Sequence, residues 1–133
     1  MHLDNVRLLG YLPHRTMHEI QQAGDVLILS RAPDGRPEIT SPLKLFEYLL
    51  SGKPIVSARI PESERFFAPD LSLGFYEPGD HRSLVSALEN SLKRYDWRHR
   101  SSENTALGKQ YTWEKRQMRL MEFVGNISPR TTF

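Results

Sequence analysis

The sequence predicts an α/β fold, a parallel sheet flanked by helices, and three observations predict it. The runs at 25–29 (Asp-Val-Leu-Ile-Leu) and 55–58 (Ile-Val-Ser-Ala) are almost continuously apolar rather than alternating. That is the pattern of strands covered on both faces. Stretches with helical spacing separate these runs, and alternating strands and helices fold as right-handed βαβ units. Turn residues such as Gly52, Pro54, Pro78 and Gly79 punctuate the segments.

Taken in order, Val6, Leu8 and Leu9 ahead of Gly10 predict a first strand over 6–9. Tyr11-Leu12-Pro13-His14 reads as a turn, followed by a helix over 16–23 with Met17 and Ile20 inward. The strand over 25–29 leads into a loop over 31–40. Its Pro33-Asp34-Gly35-Arg36-Pro37 has little propensity for helix or strand. Ser41 is a good N-cap, and Pro42 suits the first helical position, where its missing N–H would be unpaired anyway. That helix runs to Ser51, stops at a left-handed Gly52, and is blocked from continuing by Pro54. Leu45, Phe46, Leu49 and Leu50 form its apolar stripe, and Glu47 falls at the margin. A carboxylate there is partly buried and requires a partner.

Ile55–Ala58 is the next strand, residues 61–67 a short helix and Leu73–Tyr76 a further strand. A helix then starts at His81 with Leu84, Ala87, Leu88 and Leu92 inward. Trp97–Gly108 is a weakly patterned helix. Thr112 caps the last helix, on which Trp113, Leu120, Met121 and Val124 mark one face. Residues 1–125 read as one domain and 126–133 as a disordered tail.

The chemistry concentrates at the start of the helix that follows Ser41. The N–H groups of Leu43 and Lys44 have no carbonyl partner one turn back, and the helix dipole favours an anion there. Glu47 adds an acceptor carboxylate one turn in. A nucleoside diphosphate presents the matching groups, since its phosphates accept from amides and its ribose hydroxyls donate to a carboxylate. Two structural alternatives stand beside this reading. Glu47 pairs with Lys44 three residues earlier, and Lys44 itself is a solvated helix residue rather than a phosphate ligand.

The phrase Ser41-Pro-Leu-Lys-Leu-Phe-Glu-Tyr-Leu-Leu-Ser-Gly-Lys-Pro-Ile-Val56 resembles the donor-binding segment of retaining GT-B glycosyltransferases of the large family-four group. Val6-Arg-Leu-Leu-Gly10, Ala23-Gly-Asp-Val-Leu-Ile-Leu-Ser30 and Tyr111-Thr-Trp-Glu114 resemble the same family, so the likeness spans about residues 5–124. It implies a Rossmann-like parallel sheet, the C-terminal half of a GT-B fold. The implied nucleotide-binding set is Tyr11, Thr40, Ser41, Pro42, Leu43, Lys44 and Glu47, with Glu47 on the ribose and the preceding amides on the diphosphate. The family places a second glutamate seven residues before the ribose-binding one. Here that position is Ile39, and Glu38, one residue further off, is the candidate for the donor-sugar contact. The implied substrate is a nucleotide-diphosphate sugar, and no cofactor is required. The acceptor domain, and the opening strand–helix unit of the donor domain, have no counterpart in these residues. The resemblance therefore implies a truncated domain that is inactive alone and needs an acceptor domain or subunit. Apolar surface left by the missing unit implies self-association. A non-catalytic nucleotide-sugar-binding module and a nucleotide-sugar epimerase of the same fold are the alternatives.

Composition limits the other classes. Eighteen Lys and Arg against sixteen Asp and Glu give a net charge of +2, which does not argue for a nucleic-acid partner. The chain has no cysteine, which excludes disulfides and thiolate sites and is compatible with the cytoplasm. His14 and His18 have the i, i+4 spacing of helical metal ligands, yet no third ligand accompanies them and no Asp-x-Asp pattern occurs, so a metal-independent site is expected. From Lys93 to Arg119 eight Lys and Arg face three Asp and Glu. That excess permits a peripheral membrane contact but reads first as a solvated helix face. No apolar run is long enough to span a membrane.

Overall fold

Three parallel strands form the centre of the molecule, in the order β1-β2-β3. The computed structural model describes residues 4–31, 43–66, 73–94 and 96–127. Along the chain these form α1 (His14–Ala23), β1 (Leu27–Leu29), α2 (Leu43–Ser51), β2 (Ile55–Ala58), α3 (Pro61–Phe66), β3 (Leu73–Tyr76), α4 (His81–Arg94) and α5 (Trp97–Gly108). A 3₁₀ turn at Lys109–Tyr111 then leads into α6 (Trp113–Ile127). Register is set by Leu27 opposite Ile55 and Val56 opposite Gly74. The α/β class and the bounds of β2, β3 and α5 agree with the sequence reading.

β2 carries the core. All four of its residues are buried, and successive side chains point to opposite faces of the sheet. Ile55 joins Leu45 and Leu49 of α2 in one cluster, flanked by Leu29, Phe46, Phe75 and Leu107. Val56 and Ala58 join Tyr76 and Ala87 in the other, flanked by Val26, Ile60, Leu84 and Leu88. Each fully buried Leu, Ile or Val side chain contributes about 1.5–3 kcal/mol. The buried Ser57 hydroxyl is satisfied by that of Ser63 on α3, 3.0 Å away.

Helix α2 lies between the sheet and α5. Gly52 ends it with φ of +69°, as its position after Ser51 requires. Asn104 of α5 donates from Nδ2 to the Lys53 carbonyl at 3.1 Å, tying α5 to the turn between α2 and β2.

Several expectations are corrected. Residues 6–9 form no strand but run as exposed irregular chain, with Leu8 95% exposed. A strand needs a hydrogen-bonded neighbour, and among the described residues β1 pairs with β2 alone. Helix α1 begins at His14 rather than 16, because the Pro13 carbonyl already accepts from the Met17 N–H at 3.1 Å. Met17 and Ile20 are not inward: both are exposed, and Gln21 is the buried residue of α1. Leu92 is exposed while its neighbour Ser91 is buried. The side-chain-free Gly74 explains this, since a Cβ there would come 2.7 Å from Ser91 Oγ, so only a small residue fits where α4 crosses β3. The last helix continues through Ile127, past the expected start of the tail at 126. The rest of that tail lies outside the described residues. Trp113, Leu120, Met121 and Val124 share a stripe as expected, but all four are exposed instead of packed.

Candidate functional site

The parallel order of β1 and β2 fixes where α2 starts. A helix joining two parallel strands runs back antiparallel to them, so its N-terminus stands at the carboxyl edge of the sheet. Leu43 and Lys44 occupy that first turn, both exposed. Leu45 and Leu49 turn into the core, which leaves Leu43, Glu47 and Leu50 on the opposite side. Spacing of about 100° per residue dictates this division.

Glu47 keeps 42% of its side chain exposed, and its Oε1 lies 3.5 Å from His14 Nε2, at the start of α1. The partner that the carboxylate requires is therefore His14 and not Lys44. Tyr48, next along α2, is half-buried. Burial, and then the adjacent Glu47 carboxylate, push its hydroxyl above the ordinary phenol range, so it stays neutral.

Beside Glu47 a groove of about 540 Å³ opens between α2 and the segment leading into α6. Phe46 of α2 stacks on Tyr111 with ring centroids 4.7 Å apart and planes 13° from parallel. Arg119 lies 5.6 Å from the centre of the Tyr111 ring and donates from Nη2 to the Gln110 carbonyl at 3.0 Å. Arg116 covers Trp113 at 5.4 Å. The groove thus has an aliphatic and aromatic floor with cations along one wall. Glu47, His14 and Glu114 also line it. Glu114 receives hydrogen bonds from its own backbone N–H and from Thr112, which hold its carboxyl below the usual carboxylate range. Thr112 caps α6 as expected: its carbonyl accepts from the Arg116 N–H at 2.9 Å and its Oγ1 from the Lys115 N–H at 3.4 Å.

A further cation at the carboxyl edge is fully engaged. Arg59, just past β2, donates from Nε to Glu77 at 2.7 Å and from Nη1 to Glu64 at 2.8 Å, and lies 5.0 Å from the centre of the Phe75 ring. These bonds, that to Glu64 foremost, raise its pKa further. Arg59 clasps α3 to the end of β3.

Of the residues singled out in the sequence, Leu43, Lys44 and Glu47 share α2, with Leu43 and Glu47 on the groove. Tyr11 is 99% exposed and stands three residues before His14, the residue that meets Glu47. Glu38, Thr40, Ser41 and Pro42 lie outside the described residues. His14 was legible only as a possible metal ligand with His18. Its pairing with Glu47 joins segments 33 residues apart, and no local periodicity announces it. Among the described residues no group of three His, Asp or Glu side chains is placed to hold a metal ion.

Compared with known families, residues 2–122 match the one described as glycosyl transferase-like. No curated protein matches the chain.

Proposed function

The chain belongs to the glycosyl transferase-like family, and on that premise we propose that it is the donor-binding domain of a retaining GT-B glycosyltransferase of the family-four type. Its ligand is a nucleotide-diphosphate sugar, from which a glycosyl group passes to an acceptor hydroxyl. Glu47 carries the reading: a half-exposed carboxylate one turn into a helix whose first-turn amides face the carboxyl edge of a parallel sheet.

Each group has a role set by its chemistry. The N–H groups of Leu43 and Lys44, with the helix dipole behind them, take the diphosphate. The Lys44 ammonium adds a point charge. Glu47 accepts from the two ribose hydroxyls, and His14 holds the carboxylate towards α1 until they arrive. Thr40, Ser41 and Pro42 complete the nucleotide-binding set of this reading, and Glu38 is its donor-sugar contact. Tyr11 bounds the nucleoside side. Transfer breaks the bond between the anomeric carbon and the diphosphate oxygen. Amide donors and Lys44 stabilise the negative charge that develops on that leaving group, the largest catalytic contribution such a site can make. Charge neutralisation by amides and ammonium makes the site metal-independent.

Calorimetry with nucleoside diphosphates tests the assignment. Glu47→Ala weakens binding by about 1.5–3 kcal/mol, the range for hydrogen bonds to a charged group. Glu47→Gln retains part of the affinity. The 2′,3′-dideoxy nucleotide loses affinity for the native chain but little more for Glu47→Ala, a non-additivity that marks a direct contact. Additive losses in this cycle, with circular dichroism showing both variants folded, remove Glu47 from the ribose.

A further inference from the structure

The groove between α2 and the start of α6 has one wall that the nucleotide contacts leave unused. Leu43 and Glu47 belong to α2, and Trp113, Glu114, Arg116 and Arg119 stand on the α6 side. Trp113 is 69% exposed. Arg116 lies over its ring at 5.4 Å, and a guanidinium covers only one face of an indole, so aromatic surface remains for a ligand. Charge on the lining is balanced. Two carboxylates, Glu47 and Glu114, and two guanidinium groups, Arg116 and Arg119, border the same space. An ionic ligand of either sign meets like charge there. A hydroxyl suits both kinds, because it donates to a carboxylate and accepts from a guanidinium. Nor are these charges spent on one another. Among the described residues neither arginine forms an ion pair: Arg116 rests on Trp113, and Arg119 donates to the Gln110 carbonyl. The volume of about 540 Å³ falls within the roughly 300–1,000 Å³ of small-molecule sites.

We propose that this wall is a saccharide-binding subsite, which takes a neutral sugar ring against Trp113 and its hydroxyls on Glu114, Arg116 and Arg119. A pyranose fits on each count. Its ring C–H groups, polarised by the neighbouring oxygens, form a weakly positive face that meets the negative face of the indole. Its hydroxyls project from the rim, and each both donates and accepts. A hydrocarbon chain is the poorer occupant, since it would strip water from four charged groups without replacing the lost hydrogen bonds. In the proposed reaction the bound saccharide is the acceptor, a role that rests on the nucleotide reading. The groove reaches Leu43 at the tip of α2, whose N–H is assigned to the diphosphate, so the sugar enters beside the donor while Glu47 stays with the ribose. There an acceptor hydroxyl oxygen bonds to the anomeric carbon, the bond from that carbon to the diphosphate oxygen breaks, and the hydroxyl proton leaves on the diphosphate.

Saturation-transfer NMR and calorimetry on the whole chain, without nucleotide, measure binding of the neutral trimers maltotriose, cellotriose and N-acetylchitotriose. Trigalacturonate and the glucosamine trimer serve as charged counterparts. At least one neutral trimer is expected to bind at millimolar concentration, more tightly than either charged one. Trp113→Ala weakens it about tenfold or more, Trp113→Phe retains part of the affinity, and Arg116→Ala weakens it to a smaller degree. Because Trp113 is largely exposed, circular dichroism and a retained unfolding midpoint confirm that these variants stay folded. Glu47→Ala leaves saccharide binding in place, and Trp113→Ala leaves nucleoside diphosphate binding in place, so this inference and the nucleotide reading can each fail alone. Absence of binding by all three neutral trimers overturns the proposal, as does binding indifferent to Trp113→Ala or tighter binding of a charged trimer. Uridine or adenosine held on the native chain and lost in Trp113→Ala assigns the wall to a nucleobase and overturns it equally. Displacement of the trimer by saturating nucleoside diphosphate overturns the acceptor role.

Discussion

Gly52 carries a constraint that no other residue type meets. Its φ of +69° disfavours any Cβ, and one placed there would lie 2.5 Å from Ser101 Oγ and 3.2 Å from Thr105 Oγ1. Gly52→Ala is expected to cost about 2 kcal/mol or more, the left-handed penalty plus the contact with α5. Ser101→Ala in the same chain recovers part of that loss in urea unfolding, since it removes the nearest atom. Thr112 and Glu114 set a second constraint at the start of α6. Because Glu114 titrates below its ordinary value when folded, the unfolded chain binds the extra proton as pH falls. Its contribution is present above the ordinary carboxylate pKa of about 4.3 and is lost as pH drops through the lowered folded value. Helicity measured by circular dichroism through that acid window should decline less steeply in Glu114→Gln than in the native chain. Gly52 and Thr112 were both legible in the sequence, because capping chemistry acts over a few neighbouring residues. His14 was not, because its contact with Glu47 exists only once α1 and α2 are side by side.

Elements divide along the same line. β2, β3 and α5 could be bounded from sequence because apolar runs and turn residues are local signals. Residues 6–9 carry the same kind of signal yet form no strand, because pairing is decided by the sheet and not by the run. Met17, Ile20, Leu92 and the α6 stripe show the equivalent limit for helices: periodicity finds the apolar face but does not say whether anything covers it. Where α2 does find its cover, the packing is complete. Leu49 is buried among Leu45, Ile55 and their neighbours. Leu49→Ala is therefore expected to cost about 2–5 kcal/mol in denaturant unfolding, whereas the volume-conserving Leu49→Met costs under about 1.5 kcal/mol. A small effect of the alanine variant would show that α2 is held by its ends and not by its face.

At the scale of the whole molecule, stability is graded from β2 outward. β2 is buried throughout and paired on both edges, and α6 touches the body near its first turn. Native-state hydrogen exchange should follow this order, with the amides of Ile55–Ala58 slowest and those of α6 fast in dilute solution. Uniform protection across β2 and α6 would contradict the gradient. The placement of α2 has a consequence for how this protein can change over generations. Nine residues carry the core on one face and Glu47 on the other, so the helix cannot shift for one without shifting for the other. Drift in the hidden leucines therefore moves the carboxylate as well, and the interior and the groove wall change together.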